Sequence, residues 1–242
     1  MPSKDSVNKF CLGSLPASDG GRHTVACIRA VKQGNTSIMP AHRELRDNYD
    51  PKVIVIVGIG GNINQKLDVC DVVFATNVID YDARSVTAEG NSRTTPPAPP
   101  VEPWILLLYN EFENKYGEHP ELPASEGSIA NTFKVESGPI GSGSAVIRDG
   151  DDSEIKNWLK LVSRKTSAVD TESVGLADAA FHESLRHGSR FRGYMIIRGA
   201  SDNADPTKDD KYRKAAVKNA MLALQSIVEL ASAGFVNEIP RR

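Results

Sequence analysis

Apolar residues follow two spacings along this chain. Continuous apolar runs, as in VIVIV at 53–57 and YMII at 194–197, are typical of strands that are buried on both faces. In other segments apolar residues recur every three or four positions, as in TESVGLADAAFHESLRH at 171–187, which predicts helices with one apolar face. Strands that alternate with helices favour a mostly parallel sheet covered by helices on both sides.

Turn residues and capping residues set the expected boundaries of these elements. The predicted strands lie at 23–31, 53–57, 70–79, 131–140, 144–150, 167–170 and 192–198. The predicted helices lie at 37–49, 104–116, 152–164, 171–187 and 210–233. Gly58, Gly60 and Gly61 are expected to end the second strand, and Ser201 and Asp202 to follow the last strand in a loop.

Length and charge restrict the possible functions. A chain of 242 residues suits one medium α/β domain, which we place at 23–242, after an irregular N-terminal segment at 1–22. A net charge of −2 without a long basic run argues against a nucleic-acid partner. No segment has the length of a membrane span or the apolar core of a signal peptide, so we expect no membrane partner and a cytoplasmic protein.

The cysteines suggest neither a disulfide framework nor a metal site. Cys11, Cys27 and Cys70 are scattered and lack CxxC spacing, and no histidine pair has the spacing of zinc ligands. We therefore expect three buried, reduced thiols, no metal and no cofactor.

Three segments carry unusual residues where strands end, which is where ligands bind in such sheets. They are VGIGG at 57–61, VDTES at 169–173 and RGASD at 198–202. Each also has an ordinary structural explanation. The glycines fit a tight turn, Glu172 fits a first-turn carboxylate, and Asp202 fits a helix cap or a turn. The glycines match neither GxGxxG nor the P-loop, which excludes a dinucleotide site and a Walker site.

The order of the motifs is more specific than any one of them. VIVIVGIGGNI, KLDVCDVVFATNVIDYDA, ESGPIGSGSAVI, AVDTESVGLADAA and IIRGASDNAD follow one another along the chain. Over residues 23 to 235 this series resembles the nucleoside phosphorylase/nucleosidase superfamily, especially methylthioadenosine/S-adenosylhomocysteine nucleosidases and related nucleosidase domains of bacterial defence proteins. The resemblance implies a three-layer α/β/α fold with a central mixed, mostly parallel sheet, and an N-glycosidase that acts on purine nucleosides or nucleotides, with adenine favoured.

The resemblance also implies roles for the polar residues. Asp202 would be the general acid at purine N7, with Ser201 orienting its carboxyl group. A dry pocket favours the protonated form of a carboxylic acid, which this task needs. Glu172 would accept hydrogen bonds from the ribose 2′ and 3′ hydroxyls as positive charge develops on the sugar. Thr171 belongs to the same substrate-binding segment and stands where the family usually has methionine.

Backbone groups would make the remaining contacts. Those around Val146 and Ile147 would meet the edge of the base, and Gly60 and Gly61 would approach the sugar and the attacking water. Phosphorylases of this superfamily hold phosphate with an arginine just before the glycine-rich strand end, and this chain has none there. We therefore expect water as the nucleophile. Arg198 is expected to be a structural ion-pair partner.

Two alternatives stay open. Family nucleosidases begin with a strand that leads to a water-activating glutamate, and no segment of this chain corresponds to it, so no base is assigned. A catalytically weak nucleoside-binding domain of a defence or signalling protein is the first alternative. A purine nucleoside phosphorylase is the second.

The substrate also stays open among methylthioadenosine, S-adenosylhomocysteine, adenosine and ATP. The proline-rich loop at 94–103 and the segment at 111–133 correspond to parts that close over the sugar 5′ substituent in the family, and their unusual sequences keep ATP among the candidates. The family further implies a homo-oligomer. The apolar stretch at 103–109 is a candidate contact face, although burial in the core is the preferred interpretation.

Overall fold

The structure is a computed structural model that describes residues 10–88, 90–93, 100–148, 153–206 and 210–234. Its strands are β1 (Cys11–Pro16), β2 (Arg22–Cys27), β3 (Val53–Asn62), β4 (Val72–Asp80), β5 (Arg84–Thr87), β6 (Gly90–Arg93), β7 (Glu121–Pro123), β8 (Thr132–Ser142), β9 (Ala168–Asp170) and β10 (Gly193–Asp202). Its helices are α1 (Asn35–Tyr49), α2 (Pro103–Tyr116), α3 (Glu154–Val162), α4 (Ser173–Ser184) and α5 (Arg213–Val228).

A mixed sheet forms the centre of the fold. The described strands pair in the order β4, β10, β3, β9, β8 and β7, and β4 also pairs with β8, which closes the sheet into a ring. β10 runs parallel to β3, β4 to β8, and β8 to β9, whereas the other pairings of this sheet are antiparallel. The two longest pairings, β10 with β3 and β4 with β8, are parallel. The central mixed sheet expected from the sequence is thus confirmed.

Helices cover the sheet in two groups. α1 packs against α4 and α2 against α5, while α4 and α5 both contact β10. Every residue of β10 is buried, which explains its continuous apolar run. α5 lies so close that a Cβ added to Gly199 would be 2.0 Å from the carbonyl oxygen of Ala216. The helices therefore hold β10, and with it the strand end that carries Ser201 and Asp202, at the centre of the molecule.

The N-terminal hairpin stands apart from this sheet. β1 and β2 pair only with each other among the described strands, with Cys11 opposite Cys27 and Pro16 opposite Arg22. The hairpin contacts α1 and α5. Residues 11–16 are expected to be irregular, because the N-terminus is polar and interrupted by Gly and Pro, and cross-strand pairing with β2 makes them a strand.

The largest differences from expectation near the strand ends concern β3, β10 and the segment after β8. β3 continues through the glycines to Asn62 and β10 continues to Asp202, because the two strands pair with each other over this length. Gly60 and Gly61 have no positive φ, so they do not form the expected turn. Residues 144–148 form no strand, and the hydroxyl of Tyr81 binds the carbonyl of Ala145 there instead of a neighbouring strand.

The exposure of individual side chains corrects the expectation that all three cysteines are buried, and it supports the expectation that the apolar stretch in α2 packs in the core. Cys70 is buried, but Cys11 and Cys27 are exposed, because they lie at the open end of the hairpin and not in the central sheet. In α2 most apolar side chains are buried and Leu107 is 61% exposed, so core packing accounts for most of the apolar stretch. None of the described helices is long and apolar enough to cross a membrane.

Candidate functional site

Asp202 lies where an irregularity in β10 changes the direction of the side chains. Ala200 is opposite Gly60 and Asp202 is opposite Gly61, so Ser201 is an extra residue between two paired positions. Such bulges re-aim side chains and are common beside active sites. The Ser201 hydroxyl donates to Oδ2 of Asp202 over 2.7 Å, and the backbone N–H of Ala204 donates to Oδ1 over 2.9 Å. With 5% of its surface exposed, the Asp202 carboxyl group is fixed in the protein interior.

The glycines of β3 make room for neighbouring strands. A Cβ on Gly58 would be 2.2 Å from Nη1 of Arg198, and one on Gly60 would be 2.9 Å from the carbonyl oxygen of Val169. A Cβ on Gly61 would lie 2.7 Å from Cβ of Ala204 and 3.2 Å from Oδ1 of Asp202. These glycines are needed for close approach, since they allow β9 and β10 to bring their polar ends together.

Glu172 lies two residues after β9 at the N-cap of α4, and three donors hold its carboxylate. Oε1 accepts hydrogen bonds from the backbone N–H of Gly34 at 2.9 Å and from the Thr171 hydroxyl at 2.6 Å. Oε2 accepts from the Arg198 guanidinium at 3.3 Å. Gly34 has φ 105°, a conformation that favours glycine, and it caps α1. The start of α1 and the start of α4 therefore meet at this carboxylate.

A buried ion pair lies behind Glu172. Arg198 Nε is 2.6 Å from Oδ2 of Asp170, and both side chains are almost completely buried. The other oxygen of Asp170 accepts from the backbone N–H groups of Glu172 and Ser173, at 3.3 and 3.1 Å, and the Ser173 hydroxyl also binds this carboxylate. Arg198 thus joins Asp170 and Glu172, which confirms its expected structural role.

The loop after β8 is held by a buried tyrosine. The Tyr81 hydroxyl donates to the carbonyl oxygens of Ala145, at 2.5 Å, and Asp170, at 3.2 Å. Burial raises the pKa of the Tyr81 phenol, and nearby carboxylates raise it further, so the group stays a neutral donor. In the same loop Val146 is 53% exposed and Ile147 is buried. Tyr81 therefore fixes the segment whose backbone was expected to meet the base.

A cavity of about 1620 Å³ is lined by the site residues that were expected from the sequence. It is larger than the roughly 300–1,000 Å³ of a usual small-molecule pocket, because it also extends along β3 below the β1–β2 hairpin. Within the described part of the chain, β3 pairs with β9 only at Gly61 and Asn62, and the rest of that edge faces this space. Its lining includes all of the expected site residues: Gly60, Gly61, Val146, Ile147, Thr171, Glu172, Ser201 and Asp202.

Three contributors were not recognised in the sequence. Asp170 ends one apolar strand, and Arg198 ends the apolar part of another. Two opposite charges at the ends of successive predicted strands were the signal from which their ion pair could have been predicted. Gly34 contributes a backbone N–H, which leaves no signature in a side-chain pattern. Tyr81 follows β4 directly, and only the tertiary fold brings it to Ala145.

The segment expected to close over the sugar 5′ substituent lies elsewhere. Residues 111–133 do not line the cavity, and Ser125 in this segment instead bonds to Asn219 and Ala215 of α5. Positions 94–99 of the proline-rich loop are outside the described residues. Cations also line this cavity, among them Arg29, Lys32 and Arg148. In the described ranges, no group of three or more His, Cys, Asp or Glu side chains is arranged to hold a metal ion.

Comparisons with known proteins agree with this architecture. The sequence model of the phosphorylase superfamily matches residues 3–233. The chain is 24% identical over 227 residues to the ATP nucleosidase Cap17 of Escherichia coli, which covers 86% of this chain and 41% of that protein. The chain therefore spans less than half the length of this curated relative.

Solved structures share the fold at low sequence identity. An S-adenosylhomocysteine nucleosidase from Streptococcus pyogenes in complex with 5-methylthiotubericidin has a TM-score of 0.69 at 17% identity, covering 92% of this chain and 84% of the other. A methylthioadenosine/S-adenosylhomocysteine nucleosidase from Colwellia psychrerythraea in complex with adenine has a TM-score of 0.68 at 18% identity, covering 93% and 84%.

Proposed function

Because the chain belongs to the phosphorylase superfamily, we propose that it is an N-ribosyl hydrolase that releases a purine base, with adenine preferred, from a nucleoside or nucleotide. The observation that carries this proposal is the buried Ser201–Asp202 pair, which lines the same cavity as Glu172. The similarity to a protein named ATP nucleosidase and to adenine-binding nucleosidases supports adenine as the base.

Asp202 is the general acid in this proposal. A purine leaves more easily when a proton reaches N7, because the base then departs without a negative charge. The hydrogen bonds from Ser201 and Ala204 fix the plane of the carboxyl group, so the proton is delivered in one direction. Burial excludes competing water from the acid.

Glu172 holds the sugar. Each carboxylate oxygen can accept two hydrogen bonds, and Oε1 already accepts two, whereas Oε2 accepts one from Arg198. One ribose hydroxyl can therefore bind Oε2 without displacing a donor. The negative charge beside the ribose then stabilises the oxocarbenium-like transition state more than the neutral substrate.

Hydrolysis is favoured over phosphorolysis by the position of Arg198. Its guanidinium is engaged with Asp170 and Glu172 and buried, so it is not available to hold an attacking phosphate dianion. Water is consequently the nucleophile in the proposal. The donors to be distinguished are adenosine, methylthioadenosine, S-adenosylhomocysteine and ATP.

The test is chromatographic detection of free adenine from these four donors, with and without phosphate. We expect release without phosphate, and we expect Asp202→Asn to lower the rate about 100-fold or more, since general acid catalysis contributes ~10²–10⁴-fold. Asp68→Asn is the matched control, because its side chain is 80% exposed. Turnover that requires phosphate would contradict hydrolysis, and binding without any release of base would indicate a nucleoside-binding domain.

A further inference from the structure

Two cysteines face each other across the N-terminal hairpin. Cys11 is the first residue of β1, Cys27 is the last residue of β2, and the two are direct partners in the antiparallel register. Both are exposed free thiols, whereas Cys70 is buried. Neither Cys11 nor Cys27 has a role in the proposed hydrolysis, although both line the edge of the same cavity.

Their placement meets the geometric requirements of a disulfide. Direct partners in antiparallel strands have Cα atoms about 4.5–5.5 Å apart, and disulfides span Cα separations of about 4.4–6.8 Å. Opposite residues also point their side chains to the same face of the hairpin.

We propose that Cys11 and Cys27 are a redox-sensitive pair that forms a reversible intramolecular disulfide with a small-molecule disulfide as oxidant. A thiolate of the pair attacks glutathione disulfide, forms a mixed disulfide and releases one glutathione thiolate. The second thiolate of the pair then attacks the protein sulfur of that mixed disulfide and releases the second glutathione. The two protein thiols are oxidised, one glutathione disulfide is reduced to two glutathione molecules, and the two thiol protons pass to these products.

The bond would act on the site through the segment that follows β2. Residues 28–34 connect Cys27 to α1, and the backbone N–H of Gly34 at their end donates to Glu172. A disulfide between the first residue of β1 and the last residue of β2 closes the open end of the hairpin, so it restrains the start of this segment. The oxidised protein therefore holds the Gly34 side of the sugar site more rigidly than the reduced protein.

Peptide mapping tests the bond itself. After incubation of the whole chain with excess glutathione disulfide, trypsin without reductant gives peptide 10–22, which carries Cys11, and peptide 23–29, which carries Cys27. We expect these two peptides to appear linked, and to separate after dithiothreitol. Peptide 67–84, which carries Cys70, is expected to stay unlinked.

Cysteine variants and isotope labelling make the result decisive. The linked species should vanish in Cys11→Ser and in Cys27→Ser and persist in Cys70→Ser. Glutathione attached separately to Cys11 and Cys27, without a link between the peptides, would overturn the proposal. A mixture of labelled and unlabelled chains that yields hybrid linked peptides would also overturn it, because the bond would then join two chains.

Hydrogen exchange tests the effect on the site. We expect the backbone amides of residues 28–34 to exchange several-fold more slowly in the oxidised chain than in the reduced chain, with no such difference in Cys27→Ser. Equal exchange in a chain shown to carry the disulfide would refute the coupling to Glu172. This result does not depend on adenine release, so it is separate from the test of the proposed function.

Discussion

The cavity has two walls that differ in how they are held. On the sheet side, Asp170 and Asp202 are buried, and each accepts at least two hydrogen bonds within the described structure. On the hairpin side, most residues of β1 and β2 are exposed or half-buried. Residues 28–34 follow the hairpin and lead to Gly34, whose backbone N–H donates a hydrogen bond to Glu172, the proposed sugar-binding carboxylate.

This difference indicates a division of tasks. General acid catalysis requires a carboxyl group held in one orientation, and a buried position with fixed donors provides it. Binding and releasing a nucleoside requires a part that can move, and segments with few buried contacts open most easily. Substitutions on the sheet side should therefore have larger effects than chemically matched substitutions on the hairpin side or on exposed helix surfaces.

The largest expected effect on stability is at Arg198. Arg198→Met leaves Asp170 buried without its cation, and breaking a buried ion pair in this way costs about 3–5 kcal/mol. Arg46→Met removes a solvent-accessible pair with Asp47 and should cost less than about 1 kcal/mol. Urea unfolding of both variants measures the difference, and equal losses would contradict the assignment of the buried pair as a structural centre.

Glycine substitutions give the next largest effect. A Cβ on Gly175 would lie 2.4 Å from the carbonyl oxygen of Asn35, so Gly175→Ala must separate α4 from α1 and should cost about 2 kcal/mol. In a helix without such a contact, replacing glycine by alanine increases stability by about 1 kcal/mol. A net loss of stability in Gly175→Ala is therefore due to the close approach of α4 to Asn35. Gly13→Ala in β1 meets nothing within 4 Å. Thermal unfolding should show a loss at Gly175 and almost none at Gly13, and the reverse order would refute the close packing.

A smaller effect is expected from Ser201→Ala. The change removes the hydroxyl that donates to Asp202 Oδ2, and a hydrogen bond to a carboxylate contributes roughly 1.5 kcal/mol, or about tenfold in kcat. Ser14→Ala is the matched control, because that hydroxyl accepts from Arg22 on the exposed hairpin. Adenine release under saturating substrate compares them. An unchanged kcat in Ser201→Ala would contradict the proposed role of the Ser201 hydroxyl in orienting Asp202.

The smallest expected effect is a pH dependence from His42. Burial lowers the pKa of the His42 imidazole below its ordinary value of 6.5, although Glu183 and Asp47 partly oppose the shift. The unfolded chain therefore binds a proton that the folded chain does not, and the free energy of unfolding falls as the pH drops below 6.5. An imidazole that stayed fully neutral in the folded chain would set the upper limit of this loss at ~0.7 kcal/mol between pH 7 and pH 6.

His42→Gln should abolish this part of the slope, which equilibrium unfolding at several pH values measures. His187→Gln, in the exposed turn after α4, is the control. The same slope in wild type and in His42→Gln would assign the dependence to another group.

Much of the architecture could be predicted from residue spacing. The runs at 53–57 and 194–198 became β3 and β10. Only β10 is buried throughout, as a continuous apolar run predicts, whereas β3 faces the cavity and four of its residues 53–57 are half-buried. The strand ends were less predictable. Glycines in a strand suggested a turn, whereas the structure extends β3 to Asn62, since a glycine also allows close approach without a positive φ.

The N-terminal hairpin was missed for a different reason. CLGSLP has weak strand propensity, and only its pairing with β2 makes it a strand. Cys11 and Cys27 were expected to be buried because free cysteines usually are, and their position at the open end of the hairpin leaves both exposed. Exposure depends on which element covers a residue, and the composition of the chain does not contain that information.

The sequence by itself determined the runs that became β3 and β10, the places of the five described helices, and the residue types gathered at the strand ends, because these follow from local periodicity and from motifs that are contiguous in the chain. The mixed sheet was expected only from the resemblance to the superfamily. The tertiary structure decided which groups touch. The ion pair of Arg198 with Asp170, the Gly34 N–H on Glu172 and the Tyr81 hydroxyl on Ala145 each join residues at least 28 positions apart. Such contacts form only when strands and helices pack, and the buried polar groups must then find partners where the fold places them.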